Sequence, residues 1–374
     1  MGKVIHMATK PGKISIADLK KSMNKSMGIN AAHDLRQDNP TTVKEWIPTG
    51  SRWLDSMICK GKMAGIPVGK ITEIAGLSSV GKSYLAVQIA AQAQKQGKFV
   101  IYYDAESAID PQFLKDSGIN IKENFLYTQA VSVEKVLKGI EDTMNNPDYQ
   151  EIQFVFVWDS IALTPTESDI EGDFNPQSSM AVKARVLSKG FQKLTVPLAN
   201  GQHTLLLINQ LKTNITSNIA EARLKPYTTP GGLTIEYVSS LRIWLTGRKS
   251  KISFVYDESG RRVGSEVKAK IVKSRFGTQD RIAVFQIRWG DRIGIMDEES
   301  WIEVIKQSDT YRVGGGWCYI KDPKGVEHKF RQKDWMDKMK DEKFKQMVID
   351  IMDEELIHKF ESTGSNIVPE GIEE

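Results

Sequence analysis

Cysteine is scarce in this 374-residue chain, with Cys59 and Cys318 alone, and histidine occurs only five times. Two thiols cannot by themselves complete a metal site or staple a small secreted fold, so a reducing compartment is the simpler setting. No apolar run approaches the roughly 18 residues that a membrane span requires. The opening MGKVIHMATKPGKIS has no hydrophobic core of a secretory signal, and His6 stands where a myristoylation motif needs Ser or Thr. There is no internal repeat and no low-complexity tract. What is present is ordinary globular composition, 40% apolar and 26% charged, at a length suited to one large domain with appendages. The expectation is a soluble, cytoplasmic protein.

The formal net charge of +4 is unevenly spread. Residues 341–374 hold ten Asp or Glu against three Lys, a balance of −7, which leaves +11 on the first 340. An acidic tail on a basic body suggests a polyanionic partner that the tail competes with; the plain alternative is a solvated terminal helix. Near the N-terminus, Ile14, Ile16, Leu19, Met23 and Met27 recur close to helical spacing among basic residues. Such a short amphipathic helix packs on a neighbouring subunit or folds back on its own domain.

From residue 70 the pattern is regular. Five near-continuous apolar stretches, 70–76, 99–106, 154–160, 203–210 and 241–247, read as strands covered on both faces. Between the first two lies the Ala- and Gln-rich SYLAVQIAAQAQKQG, a helix closed by Gly97. Strand, helix, strand is a βαβ unit, so the sheet should be largely parallel. Residues 265–290 read as an antiparallel addition turning at Gly277. Beyond Gly294 the chain changes character, with GGGWCYI, a turn at Pro323–Gly325 and a helical region from Lys333 to Phe360, which suggests a smaller second domain.

Gly76-Leu77-Ser78-Ser79-Val80-Gly81-Lys82-Ser83 fits the phosphate-loop pattern G-x-x-x-x-G-K-[ST], which chance produces in a chain this long on the order of once in a hundred. Its glycines let backbone N–H groups curl around phosphate oxygens. Lys82 would reach the β and γ oxygens, and Ser83, followed by Tyr84, would ligate Mg²⁺ at a positive helix end. The stretch FVFVWDS ends in Asp159, the position expected to order the metal from a second strand; a bare strand terminus is the bland reading. Hydrolysis needs an acceptor that orients water, and two acids compete for it. Glu106 closes the strand after the phosphate-loop helix, while Asp104 shares its face two residues earlier; a cap or a salt bridge would explain either. Asn209-Gln210 ends a third strand, where a neutral amide could report phosphate state. After it, residues 211–230 show no clean period before Gly231-Gly232, and residues 166–180 form a similar stretch. Long loops inside compact domains are normally functional or disordered. Residues 239–290 add twelve Lys or Arg against four Asp or Glu, a balance suited to phosphate backbones.

These blocks together resemble the RecA family of recombinases, and most closely its UvsX-type members from T4-like bacteriophages. The resemblance is carried by GLSSVGKS with YYDAESAIDPQFLKDSGIN, by WDSIALTPTESDIEGDFNPQSSMAVKARVLSKGFQKL, and by LLLINQLK…TTPGGLTIEYVSSLRIWL. VKSRFG and GGGWCYI…RQKDWMDKM extend it, so that it spans roughly residues 50–345 in the family's order. It implies an α/β fold, a RecA-like P-loop ATPase core with a mostly parallel central sheet flanked by helices. An N-terminal polymerisation segment (1–50), the core (51–290) and a small C-terminal α+β domain with an acidic tail (291–374) would follow one another.

By the same resemblance Glu106 takes the place of the catalytic glutamate, and Asp110 and Phe113 fall where an acid and an aromatic ring hold adenine. Gln210 matches a glutamine that senses the γ-phosphate. Lys273 and Arg275 match cations that reach the ATP of the adjacent subunit. Residues 170–180 and 211–230 look like two DNA-binding loops, which places Met180, Arg185, Lys212, Arg223, Gly231 and Gly232 near DNA. Gln192 stands where bacterial relatives carry Arg, so Lys193 would take over that contact. The implied protein binds ATP with Mg²⁺, forms helical filaments on single-stranded DNA, pairs it with homologous double-stranded DNA, and works with a single-strand-binding protein and a loader. A hexameric helicase or motor, or a recombination mediator that hydrolyses poorly, are the competing classes. The mediator should lack counterparts of Glu106 or Gln210, which this sequence has.

Overall fold

The apolar runs become the strands of one sheet. The computed structural model describes residues 15–28, 31–36, 42–59, 62–172, 179–214, 226–247, 253–277, 279–290, 293–322 and 324–354. By contacts the chain falls into two compact units, residues 1–44 and 45–374. The first holds α1 (Ile16–Met27), closed by Gly28 in the left-handed conformation, with no buried residue.

The second unit opens with a short antiparallel pair, β1 (Trp46–Ile47) and β2 (Ile66–Pro67), bracketing α2 (Arg52–Ile58). Next come β3 (Ile71–Gly76), α3 (Lys82–Lys95), β4 (Phe99–Asp104), α4 (Pro111–Asp116), β5 (Phe125–Gln129), α5 (Val133–Asn145) and β6 (Phe154–Asp159). They are followed by α6 (Glu167–Glu171), α7 (Ser179–Asn200) and β7 (Thr204–Gln210). A two-stranded ribbon, β8 (Lys212–Thr213) against β9 (Tyr227–Thr228), leads to α8 (Leu233–Val238). β10 (Leu241–Gly247), β11 (Phe254–Tyr256), β12 (Arg262–Ser274), β13 (Ile282–Trp289) and β14 (Ile293–Met296) complete the sheet. The C-terminal part holds α9 (Asp297–Ile305), a three-stranded antiparallel sheet of β15 (Tyr311–Gly314), β16 (Trp317–Lys321) and β17 (Glu327–Phe330), then α10 (Trp335–Lys338) and α11 (Glu342–Met352).

The large sheet runs β14-β13-β12-β10-β3-β7-β6-β4-β5, with β11 beside β12. Strands β10, β3, β7, β6, β4 and β5 are parallel, and the β12 side is antiparallel, as the sequence pattern suggested. β3 and β6 are buried at every residue because helices cover both faces. On one face lies α3, whose Ala86, Ala90, Ala91 and Ala93 are small enough to bring its axis close to the strands. On the other lie α5 and α7, through Val136, Ile140, Leu187, Phe191 and Leu194.

β3 is followed in the chain by β4, three strands away, while β10 occupies its other side. That reversal opens a crevice beyond the C-terminal end of β3, where open α/β sheets bind their ligands.

Some elements were not legible from pattern. β5 is an edge strand with Leu126 and Tyr127 exposed, so FLYTQ lacks the continuous apolar signature of the central strands. The stretch 166–180 contains α6, opened by a capping box in which Thr166 and Asp169 bond each other's backbone N–H. The region from 341 is not simply a solvated tail: Phe344, Met347, Val348, Ile351 and Met352 of α11 are buried in the core. Residues 355–374, including the end of the expected helical region at Phe360, lie outside the described residues. No helix among the described residues is long and apolar enough to cross a membrane.

Candidate functional site

β3 ends at Gly76, and the chain turns through Ser79 and Gly81, both with positive φ (58° and 94°), before α3 begins at Lys82. Gly81 has a second reason to lack a side chain, since a Cβ there would collide with Cδ1 of Ile287 on β13. The base of the loop is tied on both sides: Leu77 N–H donates to Leu245 O (3.4 Å), and Leu211 N–H donates to Gly76 O (3.0 Å). Lys82 Nζ donates to Leu77 O at 2.9 Å, folding the ammonium over the loop. Burial lowers the Lys82 pKa, against the opposing pull of Asp159 and Glu106.

Ser78, Ser79, Val80, Gly81, Lys82, Ser83 and Tyr84 line a single cleft of about 540 Å³ together with Glu106, Asp159 and Gln210. Four strand ends therefore supply one site. Ser83 Oγ donates to Asp159 Oδ2 at 2.7 Å, and the buried Tyr102 hydroxyl donates to the same oxygen at 2.7 Å. Burial raises the Asp159 carboxyl above its ordinary range, although both hydrogen bonds favour the ionised form. These are hard oxygen donors of the kind Mg²⁺ takes. Among the described residues no cluster of three or more His, Cys, Asp or Glu could hold a metal ion, so a metal here would depend on phosphate and water oxygens, as Mg²⁺ commonly does.

The two competing acids separate in space. Asp104 is buried, and its oxygens accept from Glu106 N–H (2.8 Å), Ala108 N–H (3.0 Å), Ile109 N–H (3.2 Å) and the Tyr127 hydroxyl (3.3 Å). Its acceptors are committed to shaping the loop after β4. Glu106 rides on that loop at the wall of the cleft. Loss of water there raises its carboxyl pKa, Asp159 adds to the rise, and Lys82 opposes it.

Asp110 and Phe113 lie beside Ser83, Tyr84 and Glu106 in an adjoining pocket of about 230 Å³. Asp110 caps α4 without a side-chain cap bond, and Phe113 packs edge-on to Tyr84 with ring centroids 4.7 Å apart. Gln210, the last residue of β7, is in register with Gly76 at the phosphate-loop entrance.

Lys273 and Arg275 stand at the far end of β12, away from the cleft. Lys273 Nζ donates to Glu236 O at 2.5 Å and Arg275 Nη2 to Tyr237 O at 3.0 Å, so both cations rest on the carbonyl end of α8. Glycines 231 and 232 both have positive φ (98° and 68°), and Gly232 caps the start of α8. Lys212 is exposed on β8, which β9 closes into a ribbon, with Asn214 N–H donating to Pro226 O at 2.9 Å. Met180 falls in the first turn of α7, Arg185 is exposed on the same helix, and Lys193 lies 3.7 Å from Glu141. Arg223 and the middle of both expected loops, 173–178 and 215–225, lie outside the described residues.

Sequence reasoning passed over three features. Glu73, fully buried on β3, is bonded by Arg242 Nε (2.5 Å) and Asn209 Nδ2 (2.8 Å). An acid inside an apolar strand run carries no spacing signal of its own. Lys183 Nζ donates to Ala162 O (3.0 Å) and Thr164 O (2.8 Å), joining α7 to the segment after β6. Arg262, Ser265 and Trp289 line the same cleft from the antiparallel side; they come from distant sequence and only the fold brings them to the phosphate loop.

The RecA N-terminal domain family matches residues 14–294. The chain is similar to Protein RecA of Aquifex aeolicus, 30% identical over 346 residues that cover 92% of each chain. It is similar to Protein RecA of Symbiobacterium thermophilum, 30% identical over 334 residues, covering 88% of this chain and 89% of the relative. Protein RecA of Colwellia psychrerythraea is 33% identical over 280 residues, 75% of each chain.

Proposed function

Because the chain belongs to the RecA family, we propose that it is a recombinase of the UvsX type, from a T4-like bacteriophage and acting in the host cytoplasm. It is an ATP-dependent protein of homologous recombination and DNA repair, and a DNA-dependent ATPase. One observation carries the reading furthest. The phosphate loop, Glu106, Asp159 and Gln210 converge on one cleft, while Lys273 and Arg275 lie outside it on the carbonyl end of α8, which supports a role toward a neighbouring subunit.

In this reading the subunit divides into a polymerisation segment (1–50), a catalytic and DNA-binding core (51–290) and a C-terminal domain (291–374). ATP seats its polyphosphate on the phosphate-loop N–H groups and Lys82, with adenine against Asp110 and Phe113. Ser83 and Asp159 would hold Mg²⁺, which supplies charge neutralisation on the phosphates. Glu106 orients the attacking water and accepts its proton, a task its raised pKa suits. Gln210 senses the γ-phosphate from β7 and passes its state to the β8–β9 ribbon and the DNA contacts, among them Met180, Arg185, Lys193, Lys212, Arg223, Gly231 and Gly232. Lys273 and Arg275 stabilise charge on the neighbour's ATP only when subunits are stacked, so assembly and turnover are coupled.

DNA is held by its backbone, leaving bases free to test homology. Replacing one homologous duplex with another conserves pairing and is nearly balanced in energy, so ATP switches and recycles the filament rather than driving exchange. Single-strand-binding and loader proteins are the accessory partners of this scheme.

Electron microscopy with single-stranded DNA and ATP, paired with a DNA-stimulated ATPase assay, tests the proposal. Helical filaments and stimulated hydrolysis are expected. Closed rings that unwind duplexes would indicate a helicase, and isolated particles with little hydrolysis a mediator.

A further inference from the structure

We propose that Arg262 is a nucleotide-binding residue, donating to phosphate oxygens from the antiparallel wall of the cleft. This rests on the reading of the cleft as the ATP site and adds a contact that reading does not include.

The guanidinium lies near two aromatic rings. Its Cζ lies 3.7 Å from the ring centroid of Phe254 and 5.1 Å from that of Trp289. It is also tethered in its own plane, through Nη2 to Ser265 Oγ and through Nε to Gly264 O at 3.3 Å. Arg262 is exposed, and with two contacts to neighbouring oxygens its guanidinium still has N–H donors to offer an oxyanion. Among the described residues no carboxylate pairs with it, which sets it apart from Arg261 beside it, bonded to Asp257 at 2.8 Å.

Its position makes that held charge useful. Arg262, Ser265 and Trp289 share the cleft with residues 78–83 of the phosphate loop. Ile287 of β13 sits against Gly81, and Trp289 follows two residues along the same face of the strand, about 7 Å further out. The cation therefore stands one short step from the loop that cradles phosphate. Of the charged side chains lining the cleft, Glu106 and Asp159 are acids, and Lys82 is the other cation. A polyphosphate entering this space meets Lys82 on one side and Arg262 on the other.

A purely structural brace is the competing account. It would need the rings but would be indifferent to nucleotide. Prior immobilisation is what distinguishes a binding group, since the rotamer entropy of a long side chain is lost before the ligand arrives. A charge-assisted hydrogen bond from such a group is worth roughly tenfold in affinity.

The test is calorimetric titration of the full-length chain with ADP, without DNA, at low and high salt. Arg262→Ala should bind ADP about tenfold more weakly at low salt, with the deficit shrinking as salt screens the charge. Arg262→Lys should fall between the two. Phe254→Leu, which removes a ring contact from outside the cleft, should cost about two- to threefold. In DNA-stimulated turnover the KM for ATP should rise in Arg262→Ala while kcat holds. Thermal melting confirms folding of each variant, and Lys82→Ala is the reference. If Lys82→Ala binds ADP poorly while Arg262→Ala matches the parent within about twofold, Arg262 is only a brace and the proposal fails. If Lys82→Ala also binds normally, the cleft is not the nucleotide site and both readings fall together.

Discussion

The carboxylate of Glu73 and the guanidinium of Arg242 meet at 2.5 Å inside the sheet, in register on the adjacent strands β3 and β10. Both are buried, so each charge relies on the other for compensation. The pair is extended: Asn209 Nδ2 bonds Glu73 (2.8 Å) and Pro230 O (3.0 Å), and Arg242 reaches Thr229 Oγ1 (3.1 Å) and Glu236 (3.2 Å). The strand that opens the phosphate loop, the strand that ends in Gln210 and the segment that closes the second loop are thereby fastened at one buried point. Breaking one partner leaves an uncompensated charge. Glu73→Leu should cost roughly 3–5 kcal/mol in urea unfolding, whereas Glu73→Leu with Arg242→Met should recover much of that loss. Equal costs for the single and double variants would show that an unpaired Arg242 carries no penalty there, against this account.

Glu106→Gln should retain ATP and DNA binding and nearly abolish turnover, read by nucleotide titration beside a phosphate-release assay. Normal hydrolysis would remove Glu106 from the mechanism. The raised pKa has a consequence in the parent protein. The basic form is required, so DNA-stimulated hydrolysis should decline as pH falls through a value above the ordinary carboxylate range, and that limb should be absent from the residual rate of Glu106→Gln.

Lys273→Ala should weaken DNA-stimulated ATPase by roughly 100-fold, the order seen when a preorganised donor to developing charge is removed. Nucleotide binding to dispersed subunits should be unaffected, because Lys273 rests on the carbonyl end of α8 rather than in its own cleft. An unchanged stimulated rate would argue against a role between subunits.

His203 gives a stability prediction with a definite sign. Its ring is buried, and Nδ1 accepts from Phe154 N–H at 3.1 Å, which requires the neutral ring. Burial lowers its pKa from 6.5 to about 4. The unfolded chain therefore binds the proton first, and the stabilisation from this group, complete above pH 6.5, is lost as pH falls toward 4. His203→Gln can still accept the same N–H, so the stability difference between parent and variant should narrow over that window in denaturation measured at fixed pH. A difference independent of pH would mean that His203 does not titrate there.

Much of the core was legible because its signals are local. GLSSVGKS demands its glycines and lysine at fixed spacing, and the strand runs at 71–76 and 154–159 are continuous in apolar residues because helices cover both their faces. The choice between Asp104 and Glu106 was not local. Two acids two residues apart look alike in a string; they differ because one faces four donors and the other faces the cleft. In the acidic C-terminal region the charges stand out in a count, while the buried face of α11 is a matter of packing.

The sequence by itself determined the phosphate loop, the parallel order implied by strand–helix–strand spacing and the family, since each rests on residues that are neighbours in the chain. Only the tertiary structure decided that Arg262 and Trp289 share the cleft of Lys82, and that Glu73 finds its counter-ion on β10. The physical reason is one of distance: a buried charge needs a counter-ion and a cleft needs opposing walls, and folding alone brings residues so far apart in sequence within bonding range.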